Sequence, residues 1–217
     1  MHIERRSFVG RAMKSLFAMA AALAIAAPAL AQTAGKDYTV IEPAQPTDNP
    51  AKIEVIEFFS YGCPHCNEFN PMLHAWATKL PADVYFKKVP VTFGRAAWAN
   101  IARLYYALEV TGDLPKLDAA VFKAIHEERV GLFDEKVMNE WLAKKGVDPK
   151  KFADAYNSFG VQSRVKRAEQ MQQSYRVQGV PALVINGKYM VEGRDFNETL
   201  AIADKLIAKV RAEKGKK

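Results

Sequence analysis

The stretch 53–66, IEVIEFFSYGCPHC, constrains the fold of this chain more than any other. Ile53 to Phe59 is a short, near-continuous apolar run rich in β-branched and aromatic residues, the pattern of a strand covered on both faces. Ser60, Tyr61 and Gly62 supply turn chemistry, and Cys63-Pro64-His65-Cys66 then opens a helix. Proline at a first helical position loses no hydrogen bond, because that N–H has no helical partner in any case. The helix start leaves unpaired N–H groups and the positive end of the helix dipole at Cys63. Both favour the thiolate, the reactive form of cysteine. Cys66 lies three residues on, on the same face of the first turn and within reach of a disulfide.

These are the only two cysteines in 217 residues. That count excludes a disulfide framework. It also excludes a four-thiolate zinc site, since Cys63, His65 and Cys66 offer at most three ligands from one tight turn. A bridge across so short a loop restrains little of the unfolded chain, so the pair reads as redox-active rather than structural. The disulfide itself is then the whole redox group, and neither cofactor nor metal is expected. Export follows from the first residues. Arg5, Arg6, Arg11 and Lys14 precede an uncharged, Ala-rich stretch that ends Ala29-Leu30-Ala31. This is the pattern of a secretory leader, residues 1–31, with cleavage expected before Gln32. Losing it takes four basic residues and one acid from a formal charge of +7, and the mild remainder does not argue for nucleic acid. No later segment is long and apolar enough to cross a bilayer.

Residues 38–41 read as a short edge strand. After Cys66 the helix carries Phe69, Leu73, Trp76, Ala77 and Leu80 on one face, with a kink expected at Pro71. Residues 84–89 form a second strand, completing a βαβ unit with the thiols at the C-terminal edge of its first strand. Between residues 95 and 168 no strand is legible. Four helical stripes follow one another, at 96–108, at 116–127, after Asp134, and after Asp148-Pro149. A longer helix at 163–176 returns the chain to a strand at 182–185, a tight Asn186-Gly187 turn and a strand at 188–191. Phe196 and Asn197 read as staple and cap of the last helix. The class is α/β, a small mixed sheet with helices on both faces and an inserted all-helical domain.

Three further residues stand out. His65 sits between the thiols, where its imidazole would donate to the Cys63 thiolate or favour it electrostatically. Glu57 shares a strand face with Val55 and Phe59. A carboxylate buried there is costly unless paired or protonated, so its pKa should rise and suit it to passing a proton to Cys66. Lys88 on the next strand offers a plain ion pair instead. Pro181 opens a strand in which it cannot donate a ladder bond. A cis Val180–Pro181 bond facing the thiols would present the Val180 backbone to an extended client chain.

EFFSYGCPHC at 57–66, Gly179-Val180-Pro181-Ala182 and Val184-Ile185-Asn186-Gly187-Lys188-Tyr189 together resemble the bacterial periplasmic DsbA-type thiol:disulfide oxidoreductases, over residues 37–213. The resemblance implies a thioredoxin-like fold from 37–94 and 169–213, interrupted by a helical domain at 95–168. It implies Cys63 as nucleophile, Cys66 as its buried partner, Glu57 and Lys88 as the buried acid and nearby lysine, and Pro181 as a cis-proline preceded by Val180. It also implies a periplasmic monomer that oxidises reduced, unfolded exported proteins and is reoxidised by a quinone-linked inner-membrane partner of the DsbB type. Some members carry an acid where this chain has Asn70, with Glu68 two positions earlier, so no charge is expected at position 70. A reductase or isomerase arm shares the chemistry. However, only residues 32–52 precede the central strand, too few for the dimerisation module that exported isomerases tend to carry. A metal-binding carrier using Cys63, His65 and Cys66 is the alternative of another class.

Overall fold

The structure, a computed structural model, describes residues 32–215; the expected leader lies outside them. Its frame is strand β2, Ile53–Phe59, all seven residues of which are buried. β2 pairs in parallel with β3, Val84–Pro90, and antiparallel with β4, Ala182–Ile185. β5, Tyr189–Val191, and β1, Tyr38–Val40, extend the sheet in the order β1-β5-β4-β2-β3. Asn186 and Gly187 both take positive φ in the β4–β5 hairpin, as a primed turn requires.

Helix α1, Pro64–Ala77, joins β2 to β3, and Pro71 lies within it without ending it. The last helix, α7, Phe196–Lys214, packs on the same face of the sheet. Ile53 and Val55 of β2 meet Phe69 and Leu73 of α1 and Leu206 of α7 in one apolar cluster. The alternate residues Ile56 and Phe58 enter a second, larger cluster on the other side. Glu57 lies opposite Lys88 on β3 and Leu183 on β4.

Between β3 and β4 the chain is helical throughout: α2, Ala96–Thr111; α3, Leu114–His126; α4, Glu135–Lys144; α5, Pro149–Tyr156; and α6, Phe159–Ser174. Asp134 and Asp148 cap α4 and α5 by accepting the Val137 and Lys151 N–H groups, as their positions suggest. Three helix starts differ from the sequence reading. α3 begins at Leu114 rather than Lys116, with Pro115 in its first turn. α6 begins at Phe159 rather than Ser163, because the Ser158 side chain accepts the Val161 N–H and caps it there. α6 then runs unbroken past residue 168, where the inserted domain was expected to end. α7 is capped by Asp195, not Asn197: Asp195 accepts the Glu198 N–H at 2.8 Å. Phe196, freed from a staple role, stacks on Phe69 at 4.8 Å between ring centroids.

Candidate active site

The end of β2 delivers the two thiols. The Cys63 N–H donates to the Ser60 carbonyl at 3.0 Å, and the Gly62 N–H to Ser60 Oγ at 3.2 Å, which folds the turn back on itself. A Cβ on Gly62 would lie 3.0 Å from Trp98 Nε1 and 3.1 Å from the Phe133 ring, so the inserted domain packs directly against this turn. From the same domain His126 Nε2 reaches the Tyr61 carbonyl at 2.7 Å. Cys63 is the N-cap of α1, in extended conformation, with Pro64 at the first position.

Both cysteines are free thiols. Only 6% of Cys63 is exposed, against 0% for Cys66. Val180 covers it, with the Cys63 thiol donating to the Val180 carbonyl at 3.3 Å. What separates the two sulfurs is therefore electrostatics more than access. The Cys66 thiol donates to Cys63, and the Cys66 and His65 backbone N–H groups add to it. Against the opposing effect of burial they bring the Cys63 pKa down to about 6. Burial pushes Cys66 strongly upward, and its bond to Cys63 and the charges of Cys63 and Glu57 push it further. The Cys63 contribution of the His65 residue is its N–H and its charge. Its imidazole is exposed and lies 3.3 Å from Glu68 rather than bonded to the thiolate.

Glu57 is fully buried and neither carboxylate oxygen has a hydrogen-bond partner. Burial raises its pKa to about 7, despite the pull of Lys88, whose Nζ is 3.6 Å away. Lys88 directs its own hydrogen bonds elsewhere, to Asn70 Oδ1 and Asp118 Oδ2, each at 3.0 Å. Asp118 also accepts from the Tyr61 hydroxyl at 2.6 Å. Sequence reasoning missed Asp118. The signal was there: Asp118, Phe122 and His126 recur every four residues beside the apolar stripe of α3, and all three turn toward the Cys63 turn or Lys88.

The Val180–Pro181 bond is cis. Beside it runs a groove of about 730 Å³, lined by Val40, His65, Phe69, Pro181, Met190 and Phe196 among others. A second cis bond, Glu42–Pro43, was not anticipated. Among the described residues no cluster of three or more His, Cys, Asp or Glu side chains is placed to hold a metal, and no helix is long and apolar enough to cross a membrane. A low-pKa sulfur paired with a high-pKa one, near a buried acid and a groove of mixed apolar and charged lining, can exchange a disulfide with an extended chain.

Comparison with known proteins places this geometry in context. The pattern of the DSBA-like thioredoxin domain matches residues 54–203. The thiol:disulfide interchange protein DsbA of Bordetella parapertussis is 42% identical over 195 residues, spanning 88% of this chain and 92% of that protein. The DsbA of Pseudomonas aeruginosa is 41% identical over 203 residues, spanning 92% and 96%. The crystal structure of the Pseudomonas aeruginosa protein matches with a TM-score of 0.81 over 86% of this chain and 97% of that one, at 42% identity. That of the Xylella fastidiosa oxidoreductase DsbA gives 0.79 over 83% and 98%, at 37% identity.

Proposed function

The chain belongs to the DsbA family and is a thiol:disulfide oxidoreductase that transfers a disulfide through a reactive cysteine pair; from that premise we propose that Cys63 and Cys66 donate their disulfide to unfolded exported proteins. A client thiolate in the groove attacks Cys63 Sγ. The Cys63–Cys66 bond breaks, and Cys66 leaves with the electron pair and takes a proton from Glu57. A second client thiolate then attacks the client sulfur of the mixed disulfide. Cys63 departs as a thiolate, and the client carries the new disulfide. The Val180 backbone and Pro181 position the client chain beside Cys63. The observation that carries this reading is the opposed pair of thiols, Cys63 brought down to about 6 and Cys66 raised, at one helix start. The direct test is oxidation of a reduced, unfolded protein by the purified disulfide form. A protein that rearranges scrambled disulfides but oxidises no thiols would be an isomerase arm instead.

The site of action is the periplasm and the reoxidising partner a quinone-linked membrane protein of the DsbB type. The leader pattern at residues 1–31 supports the first, and the secreted protein should begin at Gln32. Its intact mass checks this; a dominant species that keeps residues 1–31 would contradict it.

Glu57→Gln should slow the step in which Cys66 takes its proton, roughly tenfold or more, and should remove an inflection near pH 7 from the rate profile. The same variant should change stability in a defined direction. The folded pKa of Glu57 stands above its unfolded value of roughly 4.3, so its favourable contribution is complete below that pH and is lost as pH rises through 7. The variant should therefore gain on the wild type across that window in urea melts. A changed stability with an unchanged rate profile would reduce Glu57 to a structural role.

A further inference from the structure

We propose that Asp118, contributed by the inserted helical domain, is a positioning residue for the dithiol chemistry: by sharing Lys88 with Glu57 it leaves Glu57 free to hold a proton beside Cys66. This rests on the proton-donor reading of Glu57. One ammonium lies between two carboxylates, and it serves them unequally. Lys88 Nζ is 3.0 Å from Asp118 Oδ2 and from Asn70 Oδ1, but 3.6 Å from Glu57 Oε2. Asp118 accepts two hydrogen bonds, from Lys88 and from Tyr61, while Glu57 accepts none. The rings of Phe59 and Phe122 hold the ammonium at 4.4 and 5.3 Å from their centroids, so it stays between the two acids.

A buried carboxylate keeps its charge when an opposite charge compensates it fully, and takes a proton when compensation is partial. Asp118 makes the compensation of Glu57 partial. It acts from outside the sheet, so the inserted domain sets the charge balance of a pair carried by the sheet. The other groups around Glu57 do not substitute for it. α1 and its N-cap bring Cys66, the uncharged Asn70 and Cys63, whose thiolate raises Glu57 less than Asp118 does and is absent from the disulfide form. The turn and α2 bring the phenols Tyr61 and Tyr105, both raised by burial first and by Asp118 and Glu57 in part. β4 carries no titratable side chain, and α7 presents Ala203 and Leu206 to the core. A notch of about 240 Å³, lined by Asn70, His74, Lys88 and Asp118, opens on the cluster and shares no lining residue with the client groove. Glu57 gives its proton to Cys66 as the Cys63–Cys66 bond breaks, and the replacement proton comes from solvent. The notch lets solvent reach Lys88 and Asp118 while a client fills the groove.

The test follows the Glu57 carboxyl by carbon NMR across pH, together with the pH profile for reduction of the protein disulfide by a reduced dithiol peptide. Asp118→Asn keeps an acceptor for Tyr61 and Lys88 and removes only the charge. It should release Lys88 to Glu57 and move both the carboxyl titration and the rate inflection toward acid by about one pH unit. Lys88→Met changes the same balance from the other side and should move them toward alkali. A merely structural Asp118 would lower stability, or the rate at every pH, without moving either midpoint. An inflection that Glu57→Gln removes but Asp118→Asn leaves in place overturns this inference and leaves the role of Glu57 standing. An inflection that survives Glu57→Gln overturns both.

Discussion

Cys63→Ala is expected to reduce disulfide donation to background, whereas Cys66→Ala is expected to hold clients as stable mixed disulfides. With a pKa of about 6, Cys63 is thiolate in roughly nine of ten reduced molecules at pH 7. Cys66, pushed far up by burial, stays a thiol. Cys63, 6% exposed against 0% for Cys66 and the thiolate of the pair, is therefore the sulfur that exchanges with a client. Without Cys66 the variant has no disulfide to donate, but its Cys63 thiolate can attack a client disulfide and expel one client thiolate, and no second thiol of the enzyme then displaces the client from Cys63. The Cys66 thiol is also the largest influence lowering Cys63, so Cys66→Ala should raise the Cys63 pKa and make trapping faster as pH rises. Non-reducing gels of client mixtures read both effects. Equal trapping by the two variants would contradict the assignment of roles.

The second large effect is on stability. The Cys63 pKa is depressed in the folded, reduced protein, so the stabilisation it brings is complete above the unfolded thiol value of roughly 8.5 and is lost as pH falls through about 6. The oxidised protein has no thiolate and gains nothing. From pH 5 to pH 8 the reduced form should therefore gain about 2 kcal/mol on the oxidised form, after a small opposing contribution from Cys66 ionising in the unfolded chain. Urea melts of both forms at several pH values measure the gap. Glu57 titrates over part of the same range in the reduced form, so the comparison is repeated in the Glu57→Gln background. A gap that stays constant would mean that Cys63 is not stabilised as a thiolate. The DsbA family is itself the standing example of a low-pKa cysteine and a strongly oxidising pair. What this chain adds is the particular set of groups responsible.

Much of this was legible in the chain because local rules govern it. The β2 run, Pro64 after Cys63, Asp134, Asp148-Pro149 and Asn186-Gly187 each act over a few residues, and each element formed where its pattern lies. Glu57 was legible for the same reason: its place in a strand buried on both faces dictates desolvation. The misread helix starts were also local, and Ser158 and Asp195 were simply passed over as caps. What periodicity could not reach is contact between distant segments. Asp118 meets Lys88 across 30 positions, His126 meets Tyr61 across 65, and Val180 covers Cys63 across 117. Those three contacts decide the charge around Glu57, hold the turn before Cys63 and limit access to its sulfur.

A stabilised Cys63 thiolate drives the pair toward disulfide donation, and the pair's reduction potential as a function of pH is the deciding measurement. Two-electron reduction consumes two protons below the Cys63 pKa and one above it. The potential should fall by about 59 mV per pH unit in acid and by about 30 mV per unit in alkali, with the break near pH 6. At pH 7 it should lie above the glutathione range, more positive than about −180 mV. A slope that stays near 59 mV up to pH 8, or a potential below that of glutathione, would contradict the account.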